Sequence, residues 1–172
     1  MRKLLAIVDG ISYVAAGLAA LLGLSIAVMI LSEVVARSLL NISLSFAWEY
    51  SAYAMGVGMF AGCAYTLRTG GHIRVSLLSS KVPPRVAHWV DVACTLIGVA
   101  VSGFVARALV DLALRSWASG STAPTVSATP LVIPQGAIAL GAVLLTLQLV
   151  ARLVRLLTGE PPEDQSTSFQ VE

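Results

Sequence analysis

Long apolar stretches closed by short polar ones set the pattern of this chain. The first run follows Asp9 and stays apolar to Ser32, about 23 residues. That exceeds the roughly 7–15 residues of a signal-peptide core, so the basic start MRKLL leads into an uncleaved span. A membrane helix needs about 20 apolar residues, and four segments reach or approach that length. They predict spans over about residues 10–35, 46–67, 87–117 and 131–156. The expected fold is therefore all-α: four transmembrane helices forming one domain over residues 1–157, with a polar, disordered cytoplasmic tail over 158–172.

The ends of the spans carry their own signals. Glu33 and Arg37 close the first at i,i+4 and predict an ion pair at head-group level. Trp48 and Tyr50 open the second as an interfacial aromatic belt, with Glu49 beside them at the helix N-terminus. Gly70-Gly71 releases that helix. His72 to Leu78 then alternates polar and apolar, as a short amphipathic element on the membrane surface would. Arg107, Asp111 and Arg115 extend the third span as a charged ladder. Residues 116–130 read as an exposed loop, and Pro134 falls in the first turn of the fourth span.

Composition agrees with lipid as the solvent. Of 172 residues, 57% are hydrophobic and 12% charged, about half the charged share of a soluble domain. A net charge of +2 gives no footing for nucleic acid. Arg2, Lys3, Arg68, Arg74, Lys81, Arg85, Arg152 and Arg155 fall on one side of the four spans, and Arg37, Arg107 and Arg115 on the other. The positive-inside rule puts both termini in the cytoplasm.

Small residues recur at fourfold spacing: Ala15, Ala19, Gly23 and Ala27; Ala54, Gly58 and Gly62; Gly98, Ser102 and Ala106. Such stripes let helix backbones approach in lipid, and Gly23, Gly58, Gly62 and Gly98 are the candidate packing positions. The fourth span contributes less, with Ala137 and Gly141. Span centres lack ionisable residues, and Gln148 is expected to make one interhelical hydrogen bond. Cys63 and Cys94 read as small buried hydrophobes rather than a disulfide or metal pair. No hydrolase, protease or nucleotide motif is present, so neither an enzyme nor a cofactor is expected.

The Trp48-Glu49 entry resembles the small membrane subunit of TRAP (tripartite ATP-independent periplasmic) transporters. So does the exit Leu67-Arg68, Gly70, His72-Ile73 and Val75. Thr129-Pro130, Ile133-Pro134 and Gly141 resemble the start of that family's last span. Ser76 stands where an acid commonly follows, and Gln135 where an aromatic often does. The resemblance implies a non-catalytic subunit of a bacterial inner-membrane transporter. It would brace a large sodium-coupled elevator subunit that takes up an organic acid from a periplasmic binding protein. It also implies that Trp48, Glu49, Arg68, His72 and Arg74 meet the large subunit or lipid head groups. The rival reading is a self-sufficient small homodimeric transporter.

Overall fold

The computed structural model describes residues 2–71 and 83–162, omitting the side chains of Arg2 and Pro84. Four helices are present: α1 (Arg2–Leu40), α2 (Ser45–Arg68), α3 (Pro84–Ser119) and α4 (Val132–Thr158). Among the described residues the only β-type pairing is one isolated bridge, Thr122 to Pro130. The first three helices cover their expected spans and run past both ends, while α4 starts one residue late and ends two residues beyond. α1 and α3, with 39 and 36 residues, reach well beyond a hydrocarbon core of about 30 Å. His72, Arg74 and the segment to Leu78 lie outside the described residues, as do residues 163–172 of the tail.

Three helical segments, Lys3–Leu40, Arg85–Ser119 and Val132–Thr158, are long and apolar enough to cross a membrane. α2 is long enough at 24 residues, but Ser, Gly, Ala and Tyr dilute its apolarity. Its position accounts for this. α2 lies between α1 and α4 and buries Ala47, Ser51, Ala54, Ala61 and Ala64 against them. A helix shielded by neighbours has less need of bulky apolar side chains.

The helices pack as a row rather than a square bundle: α1 on α2, α2 on α4, α4 on α3. Among the described residues α3 packs on no helix but α4. α1 also reaches α4, through Asp9. Chain direction alternates along the sequence. The start of α1, the end of α2, the start of α3 and the end of α4 share one end, joined by Asp9–Arg68, Asp9–Arg155 and Asp91–Arg152. The other end holds Glu33 against Leu44, and Tyr50 against Thr129.

Helix boundaries follow local chemistry. Pro84 sits at the first turn of α3, where a missing N–H costs little. Gly120 and Gly159 end α3 and α4 in the left-handed conformation, at φ 61° and 73°. Asn41 does the same after α1 at φ 53°.

The small-residue stripes do not all act alike. A Cβ on Gly58 or Gly62 would lie 3.7 Å from Ala19, and one on Gly98 3.5 Å from Leu149, so these three sit in ordinary helix contact. Gly23 has open space around it and packs nothing within the chain. The fourth span, expected to contribute least, makes the closest approach. A Cβ on Gly141 would lie 2.8 Å from Phe60 Cβ and 2.9 Å from the Phe60 carbonyl carbon. The two backbones touch because no side chain intervenes. Cys94 also departs from expectation: it is exposed, and Cys63 only half-buried, since α3 is covered on the α4 side alone.

Gly141→Val should force α2 and α4 apart and cost about 1–3 kcal/mol. Gly23→Ala should cost nothing in the isolated chain. Thermal unfolding of the two variants in mild detergent separates them: a clear drop for the first, none for the second.

Candidate functional site

Three polar clusters stand out on an otherwise apolar molecule. The first centres on Asp9, two turns into α1. Its carboxylate accepts hydrogen bonds from Arg155 Nη2 at 2.9 and 2.8 Å, from Arg68 Nε at 3.1 Å and from Gln148 Nε2 at 2.9 Å. One acid on α1 thereby holds α2 and α4 together. Arg68 Nη1 also donates to the Pro162 carbonyl at 3.3 Å, tying in the chain beyond α4. Next to this cluster, Arg152 donates to Thr95 Oγ1 at 3.3 Å and lies 3.7 Å from Asp91, fastening α4 to α3.

Two of the arginines are buried and a third is largely covered. Arg152 and Arg155 close the fourth span in sequence, yet their side chains are only 6% and 4% exposed. They project between helices. Arg68, expected to meet head groups or a second subunit, is 15% exposed and bonded to Asp9 within the chain. The physical reason is desolvation. A charge taken out of water must meet an opposite charge and hydrogen-bond partners. The single expected interhelical bond of Gln148 is the one to Asp9, and Gln148 is almost wholly buried.

The second cluster lies at the opposite end. Glu33 pairs with Arg37 as the i,i+4 spacing predicts, with Arg37 Nε donating at 3.1 Å. It does more than end a helix. Glu33 is buried, accepts Ser43 Oγ at 3.1 Å and takes the backbone N–H of Leu44, which caps α2. α1 therefore supplies the capping carboxylate that the start of α2 lacks in its own sequence.

The third cluster surrounds Glu49. Its carboxylate accepts the Tyr53 hydroxyl at 3.0 Å and faces the hydroxyls of Thr125, Ser127 and Thr129 in the α3–α4 loop. Tyr50 Oη lies 3.3 Å from Thr129 Oγ1. The loop is thus only partly the exposed segment expected. Ala123 and Thr129 are buried, and Ala128 adopts φ 44°, a strained conformation for a residue with a Cβ. On α3, Arg107 lies 3.9 Å from Asp111, while Arg115 donates to the Asp111 carbonyl rather than its side chain.

Between the outer halves of α1 and α4, over α2, lies an apolar groove of about 560 Å³. Leu22, Ser25 and Met29 line it from α1, Tyr50, Tyr53 and Val57 from α2, and Ile133, Pro134 and Ala137 from α4. Away from the groove, Trp48, Met55 and Met59 are each 60–68% exposed along α2. The sequence-expected residues therefore part company: Arg68 belongs to the Asp9 cluster, Glu49 to the rim of the groove, and Trp48 to the opposite side.

Asp9→Asn should leave two buried guanidiniums without their counter-charge and lower stability by about 3–5 kcal/mol. Arg107→Ala, at an exposed 3.9 Å pair, should change it by no more than about 1 kcal/mol. Unfolding of each variant in detergent, followed by circular dichroism, measures the difference.

A family model described as "Tripartite ATP-independent periplasmic transporters, DctQ component" matches residues 26–159, most of the chain. No match is found among curated proteins or among solved structures. The matched segment runs from within α1 to the end of α4, and Asp9 lies ahead of it.

Proposed function

The chain belongs to the DctQ component family of tripartite ATP-independent periplasmic transporters. From that premise we propose that it braces the large membrane subunit of such a transporter and carries no cargo itself. It is a small, multi-pass membrane subunit of a transport system. In our reading both termini face the cytoplasm, and the large subunit holds the sodium and substrate sites. A periplasmic protein hands over an organic acid.

The observation that carries this reading is the row of helices. Along this row the outward side chains are largely apolar. Phe104, Leu140, Met55 and Met59 are among the exposed side chains. A layer lying along another membrane protein widens and stiffens it. Its charges also fit a supporting part. The Asp9 and Glu33 carboxylates, with Arg68, Arg152 and Arg155, are consumed in holding helices to one another. The groove between α1 and α4 is lined by apolar side chains and a few hydroxyls. A carrier of organic anions requires polar or cationic groups at the membrane centre. Here the buried cations sit at one end and are already neutralised in part.

A tagged copy should co-purify in mild detergent with a larger multi-spanning subunit. Cells lacking the chain should lose uptake of the transported acid to background, with recovery on re-expression. Accumulation of the acid in liposomes that contain only this chain would overturn the bracing role.

A further inference from the structure

The apolar groove lies away from the Asp9 tie. At the Asp9 end, bonds from Arg155 and Gln148 to Asp9 draw α4 onto α1. Toward the Glu49 end the two helices part, and α2 floors the space between them with Tyr50, Tyr53 and Val57. The groove is a slot along α2, on the Glu49 side of the Asp9 tie.

We propose that this slot holds one acyl chain of a phospholipid with a primary-amine head group, whose ammonium sits on Glu49. Size is the first ground. The slot offers about 560 Å³, in the range that binds a single small ligand. A lipid tail is narrow, apolar and supplied by the surrounding membrane.

Charge at the mouth is the second ground, independent of the first. Glu49 has no cationic partner among the described residues. Its carboxylate is held by Tyr53 and faces Thr129, and both residues also line the slot. The acid and the apolar channel are thus built from the same side chains. A carboxylate so placed attracts an ammonium at hydrogen-bonding distance and repels a head group whose only charge is a phosphate. The hydroxyls of Thr125 and Ser127 donate to the same carboxylate, and their oxygens keep lone pairs that can accept from a further N–H. A quaternary ammonium has no N–H to donate to them, so a primary amine fits better.

The test uses the full chain in complex with its large subunit, delipidated in mild detergent. Phosphatidylethanolamine and phosphatidylglycerol with identical tails are added in equal amounts, and bound lipid is read by native mass spectrometry. Phosphatidylethanolamine should be retained about tenfold over phosphatidylglycerol, the factor given by one charge-assisted contact of about 1.4 kcal/mol. Glu49→Gln should bring the ratio near one with lipid still bound. Ala137→Phe, which fills the slot, should reduce retention of both lipids. Equal retention of the two lipids by the unsubstituted protein would overturn the proposal, and that comparison needs no variant to fold. So would crosslinks from a photoreactive residue at position 29 that reach the large subunit instead of lipid. Head-group preference can be read with or without a larger subunit, so its failure is distinct from failure of the bracing role.

Discussion

One carboxylate carries a disproportionate share of this structure. Asp9 is bonded by Arg68 of α2 and by Gln148 and Arg155 of α4, so three of the four helices meet at its two oxygens. In lipid such a contact matters more than its number suggests. Apolar side chains gain little by leaving lipid for one another, so association falls to close packing and to polar groups that have no alternative partner. The three charges at Asp9 are two positive and one negative. Separating the helices would leave each of them without its partner. The tie is therefore held as much by the cost of breaking it as by the attraction within it.

Packing completes what the tie begins. Gly141 lets α4 lie directly on the Phe60–Ala61 backbone of α2, and Gly58 and Gly62 let α2 approach Ala19 of α1. Small residues thus hold α1, α2 and α4 along their length, while Asp9 fixes them at one end. At the opposite end Glu33 takes over by capping α2 through the Leu44 N–H. α3 stands apart, joined to α4 by its own glycines and by Arg152 with Asp91 and Thr95. The row opens where no polar tie spans α1 and α4, and the groove lies there.

Much of this was legible before any coordinates. The four helices fall where apolar length and the breaks at Gly70-Gly71, Pro83-Pro84 and Pro130 put them. The Glu33–Arg37 pair follows from i,i+4 spacing. The partners of Asp9 did not follow, because they lie 59, 139 and 146 residues away. Arginines near a span end look the same in sequence whether they point at head groups or at a neighbouring helix. One signal was available. Gln148, Arg152 and Arg155 fall at i, i+4 and i+7, on one face of α4 shared with Gly141, Leu144 and Ala151. A polar stripe on the same face as the smallest residues is a stripe turned inward. Gly23 taught the converse: a glycine at the right spacing packs only if a neighbour lies opposite, and spacing does not say whether one does.

A row that leaves α3 on α4 alone is an odd shape for a protein in water, where exposed apolar faces would close together to hide from solvent. Lipid removes that force. Both faces of this row are already in a solvent that suits them, and nothing drives α3 around to meet α1. The same reasoning governs how such a layer docks on another membrane protein. Apolarity cannot select the site, because every lipid-facing surface is equally apolar. Selection falls to shape and to the few uncompensated polar groups. Trp48, Met55 and Met59 supply relief along α2 on one side. Glu49 at the mouth of the groove supplies a charge that the chain itself leaves without a cation among the described residues. A chain that spends nearly all its buried charge on its own architecture leaves these few features to decide what lies beside it.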